Sequence, residues 1–399
     1  MPAVTSRLAA AACCLLLTPV AGAAPYTPSA DSQLLATVPA RASDPRAREL
    51  QALREAWRAA PRDAGAAVRL AQRYFDEVAA SGDPRYVGYA QAALAPWWNE
   101  PAPPPAVRVL RAMVHQFDHR FAPALADLDG ALAEDPANGP AWSWRTAIQM
   151  VQADYAAARQ SCAAMAPLTT PLIAAACRAQ VDAATGRAAA AAAELRTALA
   201  AATDASADER LWALTRLAET EERRGDNAAA EAAFRAGLAT AVPDIYLQAA
   251  YADFLLDRGR APEVLALLKD AGRADVLLLR LAIAAKATGD ARAPALAQEL
   301  AARFEAARLR GDTTHRKEES RAVLALQADA PRALALAREN WAVQREPADA
   351  RILLEAAVAN GDRAAAQPVL DWMKASGIES VALRGLAARL NAGAKAASR

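Results

Sequence analysis

His115 and His119 stand one helical turn apart in "HQFDH", a spacing that lets two imidazoles on one helix face grip a zinc ion, and Asp118 lies beside them. No Glu follows the first histidine and no third ligand is near. The pair therefore reads as two surface-lying helical histidines beside a turn, and no metal or other cofactor is expected. His315 sits in "HRKEES", a charge run that reads as a solvated helix face. The chain contains no G-x-S-x-G, H-E-x-x-H, G-x-x-x-x-G-K or C-x-x-C. Trp97 and Trp98, with Tyr86 and Tyr89 before them, could form an exposed contact patch. The reading preferred here places them in the core of the first helices, with Trp57, Trp142 and Trp341 likewise internal.

Four cysteines are present, two of them inside the opening segment "MPAVTSRLAAAACCLLLTPVAGAAP". Arg7, the apolar run Leu8–Leu17 and the small residues ending at Ala23 predict a secretory signal peptide over 1–23, cleaved after Ala23. The run is too short to span a bilayer, and its strongest competitor, "VLLLRLAIAA", carries Arg280 in its middle. A lipoprotein anchor on Cys13 or Cys14 is the weaker alternative, because too few residues separate Arg7 from either. Loss of Arg7 brings the 46 basic residues level with the 45 acidic ones, a balance that disfavours nucleic acid as a partner.

Cys162 and Cys177 remain after leader removal, and an even number in an oxidising compartment predicts a disulfide. Cys162 precedes Pro167 by five residues and Cys177 follows Pro171 by six. In an antiparallel pair of helices the two then sit at similar depths from the turn.

The elements that must position these groups are helical. Apolar residues make up 54% of the chain and aromatics only 5%, with heavy alanine use, and alanine has the best intrinsic helix propensity. Apolar periodicity is interrupted at Gly82, His119, Ala153, Gly186, Gly225, Gly259, Gly289, Ala328 and Gly361, at intervals averaging about 35 residues. The same small and large residues return after these points: Ala124, Leu128, Ala131; Ala158, Cys162, Met165; Ala191, Leu195, Ala198; Ala230, Phe234, Gly237; Val264, Leu268, Ala271; Ala366, Leu370, Met373. Small residues let helix axes approach, and the larger residue a turn on fills the space beyond. "GDNAAAEAAFRAGL" at 225 and "GDRAAAQPVLDWM" at 361 are the same helix of a repeated hairpin.

The chain here resembles the tetratricopeptide-repeat (TPR) family. "GPAWSWRTAIQMVQADYAAARQSCAAM" carries the early Trp142, the turn at Asp154 and Tyr155, and the small residue Ala158; "FAPALADLDGALAEDP" carries Ala124, Leu128, Ala131 and Pro136. The first-helix glycine of the family is replaced by Ala112, Thr146, Ala218 or Ala252, and the hairpins at Gly289 and Ala328 are out of register. The resemblance covers about residues 64 to 374. It implies an all-α superhelical solenoid of about nine hairpins with a concave binding face built from first helices. On that face it places Trp212, Thr215, Glu219 and Glu222, then Tyr246, Ala249, Asp253 and Leu256, then Glu318 and Glu355. Several acids on one inner face would favour a basic or polar partner.

The organisation expected is a signal peptide (1–23), an extended mature N-terminus (24–44), N-terminal helical hairpins (45–98), a proline-rich break (99–106), the solenoid (107–390) and a disordered tail (391–399). The break "NEPAPPPA" is either a hinge or a long inter-repeat loop. The function expected is an exported, periplasmic scaffold that binds a protein or peptide and neither spans the membrane nor catalyses. Its rivals are an envelope enzyme built on a solenoid frame, signalled by carboxylates or histidines with perturbed pKa in one pocket, and a metal- or solute-binding module using His115 and His119.

Overall fold

Each of the nine points where the apolar pattern breaks carries a left-handed backbone, from φ 57° at His119 and Ala328 to 89° at Gly225. A left-handed residue reverses the chain at a helix end while its N–H caps a carbonyl of the last turn; the Gly225 and Gly361 N–H groups do so on α-helices ending at Arg224 and Asn360. At Ala153, Gly225, Ala328 and Gly361 the aspartate that follows opens the next helix, because its carboxylate accepts from a backbone N–H left unpaired in the first turn. Asp226 accepts from Ala229 N (3.0 Å) and Asp362 from Ala365 N (2.9 Å). The repeated Gly-Asp pair is thus a C-cap followed by an N-cap.

The computed structural model describes residues 44–269 and 272–397, so the expected signal peptide (1–23), nearly all of the segment expected to be an extended N-terminus (24–44), Asp270, Ala271 and the last two residues lie outside it. The chain divides at Arg48 into two units. Of the first, residues 44–48 begin a helix, with Asp44 Oδ1 accepting from Arg46 N (3.0 Å). The second, from Glu49 onward, holds every hairpin.

After α1 (Pro45–Ala59), α2 (Ala64–Ser81) and α3 (Arg85–Ala93) flank Gly82, α4 (Pro105–Phe117) and α5 (Phe121–Glu134) flank His119, and α6 (Gly139–Val151) and α7 (Tyr155–Met165) flank Ala153. Next, α8 (Pro171–Ala184) and α9 (Ala188–Ala201) flank Gly186, α10 (Ala207–Arg224) and α11 (Asn227–Leu238) flank Gly225, and α12 (Ile245–Leu256) and α13 (Ala261–Leu267) flank Gly259. Then α14 (Asp275–Thr288) and α15 (Ala293–Leu309) flank Gly289, α16 (Arg316–Ala322) and α17 (Ala330–Val343) flank Ala328, and α18 (Pro347–Asn360) and α19 (Arg363–Ser376) flank Gly361. The last helix is α20 (Val381–Ala397), which extends over part of the tail expected at 391–399. Among the described residues there is no strand, and the fold is an all-α superhelical solenoid of TPR-like hairpins. A π turn over 323–327 and the long α15 take up the 39-residue interval between Gly289 and Ala328.

The small and large positions pack as their periodicity demands: Ala124, Leu128, Ala131, Ala158, Ala230, Phe234, Val264, Leu268 and Ala366 are all completely buried. Gly237 lies so close to Leu247 that a Cβ there would stand 3.2 Å from its Cδ2, which is why no larger residue occupies the position. The proline-rich stretch does not divide the core, since one cluster of buried side chains runs from Leu50 to Val151 across it. Arg111 binds it in place, donating to the carbonyls of Trp98 (2.9 Å) and Glu100 (3.0 Å) and pairing with Asp127.

The sequence implies an extended concave surface; the structure closes it. The Gly82 turn abuts Ile245 and Ala274, five hairpins further on, where a Cβ on Gly82 would be 2.7 Å from Ala274 Cβ. Ala188 N donates to Glu379 Oε2 (2.9 Å), Arg345 N to Val151 O (2.8 Å), and Trp372 Nε1 to Tyr155 Oη (3.2 Å). Arg351 on α18 forms a two-pronged ion pair with Asp257, just past α12 (2.5 and 2.6 Å). First helices from α6 to α18, together with α20, thereby line a half-open hollow.

Candidate functional site

That hollow has a volume of about 340 Å³ and is lined by Glu219, Glu222, Tyr246, Asp253, Glu318 and Glu355, all anticipated as concave-face residues, and by Ala249. They converge because first helices present their inner stripe at the same register in successive repeats. Trp212, Thr215 and Leu256 correct the expectation. Trp212 and Leu256 pack against apolar core clusters, and Thr215 is buried, its Oγ1 donating to Leu211 O (2.8 Å). The inner stripe is narrower at its α10 start than the family pattern implies.

The predicted acidic face is also corrected, because basic side chains interleave with the acids. Glu219 pairs with Arg216 (3.1 Å), Asp253 with Arg280 (2.7 Å) and Arg321 (2.6 Å), Glu355 with Arg351 (2.7 Å), and Glu222 with Arg258 (3.5 Å). Lys317 lies 3.8 Å from Asp349. Buried charges are tolerated when paired in this way, and removing one partner costs far more than the pair contributes.

The pairing sets the protonation states. Burial works to raise the Asp253 carboxyl, but Arg280 and Arg321 outweigh it and hold the group at about 2. Glu222 lacks such a partner at short range: burial, with Asp257 beside it, pushes it up to about 7 against the weaker pull of Arg258 and Arg351. Burial likewise raises Glu346, against Lys317. Lys317 is raised because Asp349, Glu318 and Glu346 overcome its desolvation. Tyr246 leaves 51% of its surface uncovered in a half-open hollow, and the crowding of side chains around it desolvates and raises its phenol. Its hydroxyl donates to Glu219 Oε1 (2.5 Å), and the Arg216 guanidinium lies 4.9 Å from its ring centroid.

The sequence reading missed the cationic half of the site: Arg216, Arg223, Arg280, Lys317, Arg321 and Arg351. One signal was available. Arg280 interrupts an otherwise apolar helix, and a lone guanidinium in such a run needs an inward-facing carboxylate, which Asp253 supplies. Cys162 on α7 and Cys177 on α8 are joined by a disulfide with Cα atoms 5.7 Å apart, tying consecutive hairpins beneath the hollow's Tyr155 edge. A loop of 15 residues closed this way stabilises by roughly 3 kcal/mol in the chain-entropy model.

The two histidines lie elsewhere. His115 is buried rather than surface-lying, 8% exposed, against Trp98 and 4.0 Å from Asp127, because α4 turns this face toward the core. His119 occupies the left-handed turn and stacks on Phe121. Burial lowers the pKa of both. Among the described residues no group of three or more potential metal ligands occurs. Trp97 and Trp341 are core residues; Trp57, Trp98, Trp142 and Tyr86 are partly covered by it, and Tyr89 is exposed.

Hairpins capped by left-handed turns, with first helices facing inward, define a TPR-like helical-repeat protein. Neither a protein-family model nor a curated protein matches the chain. Among solved structures, it is similar to PilW, a widely conserved type IV pilus biogenesis factor (21% identity, 50% of this chain and 94% of that one, TM-score 0.39). It is also similar to the human IFIT1 dimer with m7Gppp-AAAA (12%, 83% and 86%, TM-score 0.45) and to the TPR domain of P58(IPK) (15%, 83% and 95%, TM-score 0.21). At such scores none of the three informs function, and the class rests on this chain's own hairpins.

Proposed function

We propose that the protein is an interaction scaffold that holds a short polar segment of a protein or peptide partner in the hollow, in the envelope after export. The observation that carries this reading is the convergence of Glu219, Glu222, Tyr246, Asp253, Glu318 and Glu355, from the four first helices α10, α12, α16 and α18, on one hollow with both signs of charge. A volume near 340 Å³ is at the small end of ligand sites, so the occupant is a few residues of chain rather than a folded domain. Support for an oxidising compartment comes from the Cys162–Cys177 bond, together with the leader-like sequence.

A site-specific photocrosslinker tests it. With p-benzoylphenylalanine in place of Tyr246, which faces the hollow, a partner should be captured from a periplasmic fraction; in place of Leu309, which is 80% exposed, it should not. Capture at Leu309 alone would move the binding face to the outside.

One observation favours the enzyme reading: Glu222 near 7 and Asp253 near 2 share the hollow, a division seen between a general acid and an ionised carboxylate. Asp253, however, has both oxygens engaged by guanidinium groups, which leaves it poorly placed as nucleophile or base. Binding is the better-supported reading.

A further inference from the structure

Five of the basic side chains lining the hollow meet a carboxylate: Arg216, Arg280, Arg321, Arg351 and Lys317. Arg223 does not. Its one hydrogen bond is a long 3.4 Å contact to Thr220 Oγ1, and its Nε is buried with no partner. Among the described residues no carboxylate reaches it at ion-pair distance, although it lines the hollow. Arg223 is partly buried, and a guanidinium withdrawn from water without an anion is costly unless something else supplies the charge. Burial accordingly lowers its pKa, with Glu219 only partly compensating.

A second unused group faces the same hollow. Tyr155, on α7, also lines the hollow and interacts electrostatically with Arg223. Its oxygen accepts from Trp372 Nε1 (3.2 Å), and among the described residues its own hydrogen finds no acceptor. The Tyr246 hydroxyl, by contrast, is committed to Glu219. One corner of the hollow therefore offers a guanidinium fork and a phenolic O–H with nothing to receive them.

We infer that Arg223 and Tyr155 form a receptor for a carboxylate, and that the segment held in the hollow presents one there. Charge selects the anion. Arg216 and Arg223 face Glu219 and Glu346 here, and because burial raises the Glu346 carboxyl toward its neutral form, the corner suits a monoanion better than a phosphate dianion. A planar carboxylate also matches the guanidinium fork, while its second oxygen can accept from the phenol. The inference rests on the hollow being a peptide-binding site, and the source of the carboxylate is an acidic side chain or a chain end.

The test uses pools of acetylated, amidated heptapeptides of random sequence with Glu, Gln or phosphoserine fixed at the centre, and the Gln pool again with a free C-terminus. Binding to the full chain is measured for wild type, Arg223→Gln and Tyr155→Phe, with folding followed by thermal melts. The wild type should bind the Glu pool, or the free-terminus pool, about tenfold more tightly than the amidated Gln pool. Whichever pool gains names the source. Arg223→Gln should abolish that preference and Tyr155→Phe should narrow it. Should Arg223→Gln fail to fold, Tyr155→Phe decides alone, and an undiminished preference in it overturns the receptor. A preference unchanged in Arg223→Gln, equal binding of Glu and amidated Gln pools with no gain from a free terminus, or tighter binding of phosphoserine also overturns the carboxylate receptor while leaving the peptide site standing. No binding of any pool by the wild type removes the peptide site and the receptor together.

Discussion

Glu222 and Asp253 show how differently two carboxylates fare in one hollow. Asp253 has two guanidiniums at hydrogen-bonding distance and stays ionised; Glu222 has Asp257 nearby and only a 3.5 Å approach from Arg258. For Glu222 the folded pKa, about 7, lies above the ordinary 4.5. The stability associated with its protonated form is fully present below pH 4.5 and is lost as the pH rises through 7. Allowing for water in the hollow, the loss is on the order of 2 kcal/mol. Glu222→Gln keeps the shape without the charge, so it should stabilise the protein at pH 8.5 and change little at pH 4. Denaturant unfolding at the two pH values measures this; an equal effect at both would contradict the assigned protonation state. The acids of the hollow were readable because they recur at one register of the first helices. Their partners were not, since Arg321 meets Asp253 and Arg351 meets Asp257 across separations that no local pattern encodes.

At the scale of the hairpin, the turns were the most readable feature. A left-handed residue between two amphipathic helices leaves a mark, a break in apolar periodicity that falls on glycine at six of the nine positions, and all nine have positive φ. The mark is incomplete: Ala241, Gly311 and Gly377 are left-handed too, in connections between hairpins, where no repeat-to-repeat comparison points to them. Gly225 and Gly361 carry the same motif in different surroundings. A Cβ on Gly361 would meet nothing within 4 Å, whereas one on Gly225 would stand 3.2 Å from Val381 Cγ1. Gly361→Ala should therefore cost about 1 kcal/mol, the left-handed penalty alone. Gly225→Ala should cost more, because the Val381 side chain must also give way. Unfolding midpoints of the two variants give the comparison, and equal costs would mean that Val381 yields freely.

At the scale of the whole unit from Glu49 onward, closure is what the sequence did not disclose. Repeat lengths fix that hairpins stack; how tightly the stack coils depends on small rotations at each interface, which accumulate over hairpins. The contact of Gly82 with Ala274 is one result, and it admits no extra methyl group without a shift in one side or the other. Gly82→Ala should loosen this seam, raising the radius of gyration in small-angle scattering and speeding amide exchange in α14. Gly289→Ala, with a similar φ of 71° and nothing within 4 Å, controls for backbone strain. If both variants scatter alike, Gly82 has no part in closure.

The contacts from Arg345, Arg351, Trp372 and Glu379 to Val151, Asp257, Tyr155 and Ala188 also set a timetable. Synthesis runs from the N-terminus, so the helices bearing Glu219, Arg223 and Tyr246 exist before the segment that walls them in. Until α18 to α20 arrive, that surface is an open trough, accessible to anything nearby. The hollow is therefore complete only after α18 to α20 have been made, and anything lodged in the trough at that moment is walled in by them.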